Sequence, residues 1–150
     1  MFRTIHLLPA AVAAFAFAAP AVGIPPETQR FETIGVLTGP SSAAGSWTAT
    51  GVATGSGTYT ETFRFAGGSM HGRKVLVGAA GTIVLDFQTL VVFRDACTAT
   101  FVAGAWRVAD ATGAYEGLKG GGSPATNVES FGNVCTGSVD VEHEGEAHRS

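Results

Sequence analysis

One stretch sets a strict limit on the fold. From Thr58 to Phe65 the residues alternate, with Thr58, Thr60, Thr62 and Arg64 on one side and Tyr59, Glu61, Phe63 and Phe65 on the other. A period of two lets a strand turn one face to a core and the other to water. Threonine suits the outer face because its β-branch fits the pleat. Past residue 23, no long stretch carries apolar residues at helical spacing. Short runs follow one another instead: Phe31 to Leu37, Ser46 to Thr54, Val75 to Ala79, Thr82 to Phe87, Thr89 to Phe93, Cys97 to Ala103, Ala105 to Ala109 and Val134 to His143. Gly81 reads as a bend or bulge between two of them. Of the 21 glycines, all but Gly23 lie beyond the first 23 residues. Strands this short, separated by Gly-rich turns, predict an all-β domain, either a barrel or a sandwich. Glycine inside strands favours a small antiparallel β-barrel of about eight strands, because a tight closure needs kinks and bulges. A β-sandwich is the alternative. Two segments are expected outside the barrel: an extended lead-in at Ile24 to Arg30, and a polar, frayed tail at Glu142 to Ser150.

The first 23 residues read as a secretory signal peptide. Arg3 gives the positive start, Leu7 to Ala19 the apolar run, and Ala16-Phe17-Ala18 or Ala19-Pro20-Ala21 a small-x-small cleavage site. The run is too short for a membrane span, and Pro9 and Pro20 interrupt it. Residues 24–150 then form one domain of roughly 125 to 130 residues, long enough to bury a core. Losing Arg3 moves the formal charge from −3 to −4. That balance argues against nucleic acid or an anionic membrane as partner, since both call for clustered Lys and Arg. The basic residues are scattered along the chain, with only Arg73-Lys74 adjacent, and read as a solvated surface. Cys97 and Cys135 are the two cysteines of a chain expected to be secreted, so they read as one disulfide. Its long loop predicts about 4 kcal/mol of stabilisation on a chain-entropy account. A reactive thiol or a metal site is the rival reading, but there is no second cysteine pair and no His at ligand spacing.

From Gly104 the chain runs Gly-Ala-Trp-Arg-Val-Ala-Asp-Ala-Thr-Gly-Ala-Tyr-Glu-Gly-Leu-Lys-Gly-Gly-Gly. Its residues predict a strand, a turn at Thr112-Gly113, and Tyr115 and Leu118 as anchors of a Gly-rich stretch. The run resembles a signature of small bacterial exported proteins related to the allene oxide cyclase and dirigent barrels. Phe63-Arg64-Phe65 and Gly81-Thr82-Ile83-Val84-Leu85 fit the middle strands of that family, and the similarity of pattern covers Trp47 to Val141. The resemblance implies an eight-stranded antiparallel barrel with an internal cavity. The catalytic carboxylate and pocket residues of the plant enzymes have no counterpart here by motif, so no catalytic residue is carried over.

Candidate sites are few. Gly120-Gly121-Gly122 lacks the Lys-Ser/Thr and the helix of a phosphate loop, and reads as a turn. No serine sits in a Gly-x-Ser-x-Gly elbow, and His71 lies in a turn-like stretch. His143 and His148, with Glu144 and Glu146 between them, have two imidazoles and two carboxylates, but not at the spacing of a metal-binding helix; a solvated tail is the favoured reading. No metal or other cofactor is expected. Glu61 is the candidate acid or base. It shares a face with Phe63 and Phe65, and a carboxylate in an apolar cavity would have a raised pKa. The favoured reading places it at the rim beside Arg64's neighbours, since buried Glu is rare unless paired. Phe63, Phe65, Trp106 and Tyr115 are the aromatic candidates for ligand contact, with Trp106 and Tyr115 reading first as core.

Three functions remain open from sequence. The favoured one is a secreted barrel binding a small apolar or amphipathic molecule. The second is a cyclase, isomerase or dirigent-like enzyme working by shape and a single carboxylate. The third is an extracellular interaction protein, with a homo-oligomer pairing through a barrel face.

Overall fold

The computed structural model describes residues 25–123 and 130–150. The expected signal segment, residues 1–23, lies outside them. Nine strands follow in order: β1 (Glu27–Gly39), β2 (Ser42–Thr50), β3 (Gly55–Ala66), β4 (Ser69–Gly78), β5 (Gly81–Phe93), β6 (Thr98–Ala111), β7 (Leu118–Gly122), β8 (Ser130–Asn133) and β9 (Ser138–Arg149), with a short 3-10 turn at Gly113–Tyr115. Each strand pairs antiparallel with its neighbours, and β1 pairs with both β2 and β9, so the sheet closes on itself. β7 lies on Trp106–Arg107 of β6 and on the last residues of β9; β8 lies on the first residues of β6 and of β9. The two short strands therefore share one position, and the nine strands make an eight-position barrel. Closure rules out the sandwich and leaves no long free edge.

Several boundaries differ from those expected. Thr82 to Phe87 and Thr89 to Phe93 are one strand, β5, and Cys97 to Ala103 and Ala105 to Ala109 fall, from Thr98 onward, on one strand, β6. The gap between each pair is a bulge, not a loop: Gln88 pairs with Ala105 and Leu90 with Val102, so Ala103 and Gly104 together oppose Thr89. The Thr89 hydroxyl donates to the Val102 carbonyl at 3.0 Å and ties the bulge down. Gly81 opens β5 after a two-residue turn rather than bending a continuous strand. The lead-in is already strand from Glu27. The tail expected to fray is the end of β9, held between β1 and β7 to Arg149.

One end of the barrel is closed. The 3-10 turn folds Tyr115 inward against Trp47, with ring centroids 6.4 Å apart, and the Tyr115 hydroxyl donates to the Thr54 carbonyl at 3.2 Å. Gln29, fully buried, donates to the Thr50 and Ala53 carbonyls and accepts from the Ala53 amide at 2.8 Å, so the β2–β3 loop is clamped across the same end. Such pairing is what a buried amide needs. Above this floor the core is aromatic, with Phe31 edge-on to Trp106 at 5.4 Å. Interior glycines make room for these rings. A Cβ on Gly72 would stand 2.3 Å from the Phe87 ring, and one on Gly122 2.3 Å from the Trp106 indole nitrogen. Phe87 pairs with Gly72, and Trp106 with Gly122, across adjacent strands. The glycines thus serve packing as well as curvature.

Candidate functional site

The opposite end is open. It is ringed by the β1–β2 and β3–β4 turns, the β5–β6 loop and the β8–β9 turn. Cys97 and Cys135 form a disulfide there, joining the β5–β6 loop to the β8–β9 turn across a sequence separation of 38. Leu37, Phe63, Phe65, Phe93, Phe101 and Val134 surround an apolar recess of about 230 Å³ at this mouth. Below it, and sharing Leu37, Phe63, Met70, Phe101 and Val139 with it, lies an inner cavity of about 40 Å³. That volume holds water or one small functional group, not a whole ligand.

The inner cavity ends on polar side chains. Register brings them together: β3 and β4 pair Glu61 with Lys74, and β1 and β9 pair Phe31 with His143 and Thr33 with Val141. Glu61, Lys74, Thr33 and His143 are all buried. The Lys74 ammonium donates to Thr33 Oγ1 at 2.9 Å and stands 3.2 Å from Glu61 Oε2. Thr33 passes its own hydrogen to the Val141 carbonyl at 3.2 Å. The contact with Glu61 is an ion pair without hydrogen-bond alignment, which leaves Oε2 with no hydrogen-bond partner among the described residues. The Lys74 nitrogen also lies 5.3 Å from the Phe87 ring centroid and 5.6 Å from that of Tyr59.

Burial sets the charges. It lowers the Lys74 pKa, with the Glu61 carboxylate pulling the other way. Burial and then the Lys74 charge hold His143 well below the usual imidazole range, so the ring is neutral. Burial, followed by the charge of Glu61, pushes the Tyr59 phenol up to about 12. Both ring nitrogens of His143 and the Tyr59 hydroxyl have no hydrogen-bond partner among the described residues. A buried polar atom without a partner costs roughly 1–3 kcal/mol. Backbone strain lies in the same wall: Ala103, at the bulge beside cavity-lining Gly104, has φ of +51°.

The expected site residues divide. Glu61 is inside the barrel and paired, not at the rim; Arg64, whose neighbours were to meet it, points outward from the other face of β3. Phe63 lines both spaces. Phe65 stands on the rim, 63% exposed, edge-on to Phe63. Trp106 and Tyr115 do not line the recess or the cavity: Trp106 belongs to the core and Tyr115 to the closed end. The tail reading of His143 is wrong, because β9 carries its ring into the interior beside Phe87. His148 lies on the opposite face of β9, so the two imidazoles cannot share a metal. Among the described residues no group of three His, Cys, Asp or Glu side chains is placed to hold one.

Lys74 and Thr33 were not singled out from sequence, yet Met70, Gly72, Lys74 and Leu76 alternate into the interior. For His143 the signal was stronger. Asp140, Glu142, Glu144 and Glu146 alternate with Val139, Val141, His143, Gly145 and Ala147, which is strand patterning. No known family model matches the chain, and neither does any curated protein or solved structure.

Proposed function

We propose that this chain is an exported barrel that binds a small amphipathic molecule through its open end, apolar part in the mouth and polar end innermost. One observation carries this reading: an apolar recess narrows onto a buried cavity where both His143 nitrogens and Glu61 Oε2 have no hydrogen-bond partner among the described residues. A ligand headgroup, hydroxyl or carbonyl, satisfies His143 there, and its short chain covers Phe63, Met70 and Phe101. Most of the barrel is filled by its own side chains, which limits the ligand to the open end. The resemblance to cavity-bearing barrels points the same way, and the Cys97–Cys135 disulfide fits an oxidising compartment outside the cell.

Octanol is a suitable probe, with binding followed by amide shifts in NMR. Shifts confined to the recess and cavity, and weakened about tenfold by Phe63→Ser, are expected from the loss of buried apolar area. Shifts scattered over the outer wall, or none up to the solubility limit, would sink the proposal. A second reading, turnover in the same cavity, is favoured by the buried Glu61–Lys74 pair, which places an acid–base group against any bound ligand. Its test is product formation from oxylipin or phenolic substrates that Glu61→Gln abolishes while octanol binding persists.

A further inference from the structure

The amine at the bottom of this site invites a reaction as well as a contact. Only two lysines exist in the chain, Lys74 and Lys119. Lys119 is exposed on β7, whereas Lys74 is buried and lines the inner cavity. Its ammonium has three hydrogens. One goes to Thr33 and one faces Glu61; no third acceptor is present among the described residues, and the remaining surroundings are rings and the cavity. The Glu61 carboxylate oxygen stands 3.2 Å away, near enough to take a proton from the amine and return it to oxygen once a small rotation of either side chain aligns the pair. We infer that Lys74 captures a carbonyl: the ligand class of this site is a small amphipathic aldehyde or ketone, held as a Schiff base. This rests on the binding reading above, whose recess supplies the apolar half of the ligand.

The step balances without a further reagent. Lys74 passes one proton to Glu61, and its lone pair forms a bond to the carbonyl carbon. The carbonyl π pair moves to oxygen, which takes that proton back and gives a carbinolamine. The hydroxyl then leaves as water, carrying a proton delivered through Glu61 from nitrogen, while the nitrogen lone pair closes the C=N bond. The sum is aldehyde plus ammonium giving protonated imine plus water. Burial favours the forward course twice: it keeps more of the amine uncharged, and it leaves little room for the water that would reverse the reaction.

The test treats the folded protein, disulfide intact, with octanal and cyanoborohydride, followed by intact mass and peptide mapping. Lys119 is the reference amine in the same tube. Alkylation of Lys74 exceeding that of Lys119 by about tenfold is expected, because the recess holds the aldehyde against the buried amine and not against the exposed one. Excess octanol should slow Lys74 and leave Lys119 unchanged. The double variant Lys74→Met/Glu61→Gln, which strands no charge in the core, should lose the fast adduct and keep the slow labelling of Lys119. Octanol binding with labelling only at Lys119 or the N-terminus overturns the inference and leaves the binding reading standing. Fast Lys74 labelling that octanol does not slow overturns the placement of the ligand in the recess. Absence of both octanol binding and Lys74 labelling overturns both.

Discussion

Lys74 and Glu61 sit where neither would be tolerated alone. Removing one member strands a charge in the interior, and such losses cost roughly 3–5 kcal/mol, whereas replacing both by apolar groups is often close to neutral. Lys74→Met should therefore lower unfolding stability by about that amount in urea titrations. Lys74→Met/Glu61→Leu should recover most of it, and a double variant worse than the sum would contradict the pairing. His143 gives a pH signature. Its folded pKa is held down by burial and by Lys74, while in the unfolded chain it titrates near about 6.5. Above that pH both states are neutral. As pH falls below it, the unfolded state takes up a proton that the folded state refuses, so stability drops by roughly 1.4 kcal/mol per pH unit from this residue. Chemical denaturation between pH 7 and 5 should show this slope for the parent and not for His143→Phe. The groups facing the ring, Lys74 and the Phe87 and Trp106 rings, do not offset it, since the one charge among them has the same sign as the proton.

At the scale of elements, adjacent strands trade a ring against a glycine. Phe87 lies over Gly72 so closely that a Cβ there would also meet the Thr62 carbonyl at 2.8 Å. Backbone cannot move aside as a flexible side chain can. Gly72→Ala should cost about 1–3 kcal/mol, the usual range for overpacking a filled interior. Phe87→Leu in the same chain should return only part of that loss, because the contact with the Thr62 carbonyl remains. Full recovery would show that the ring alone was the obstacle. The bulge at Ala103–Gly104 is the other local device. It re-aims β6 so that Phe101 faces the mouth and Trp106 the core on the same strand.

For the whole molecule, the two ends differ in how they are held. The closed end is fixed by Gln29 and Tyr115 through hydrogen bonds to the β2–β3 loop backbone, and by Trp47 through one to the Val77 carbonyl near the end of β4. The open end relies on the disulfide, which pins the β8–β9 turn to the β5–β6 loop beside the recess. With its cysteines 38 positions apart in the chain, loop closure predicts a loss of about 4 kcal/mol on reduction. Thermal melts with and without reductant measure it, and the same samples should show weaker octanol binding after reduction, because the mouth loses its tie. Unchanged affinity in reduced, folded protein would place the ligand elsewhere. The outer wall carries its own pattern: Arg64, His71, Arg73 and Arg107, scattered along the chain, line one groove, where Asp86 binds Arg73 and Arg107 at 2.8 and 3.0 Å.

The all-β class and the cysteine pairing are legible in the sequence alone. Those follow from local rules: period-two alternation, turn residues at short intervals, and a cysteine count that admits one bond. The sequence also placed Phe63 and Glu61 on one face, since side-chain parity is a property of the strand alone. Which residues meet depends instead on long-range pairing. Lys74 reads in sequence as half of a basic surface pair, and becomes an interior residue because the β3–β4 register sets it opposite Glu61. His143 reads as tail until β1 and β7 pair with β9 and turn its ring inward. Closure of the barrel brings β1, β3, β4 and β9 around one cavity, and no window of sequence contains the pairing of its first strand with its last.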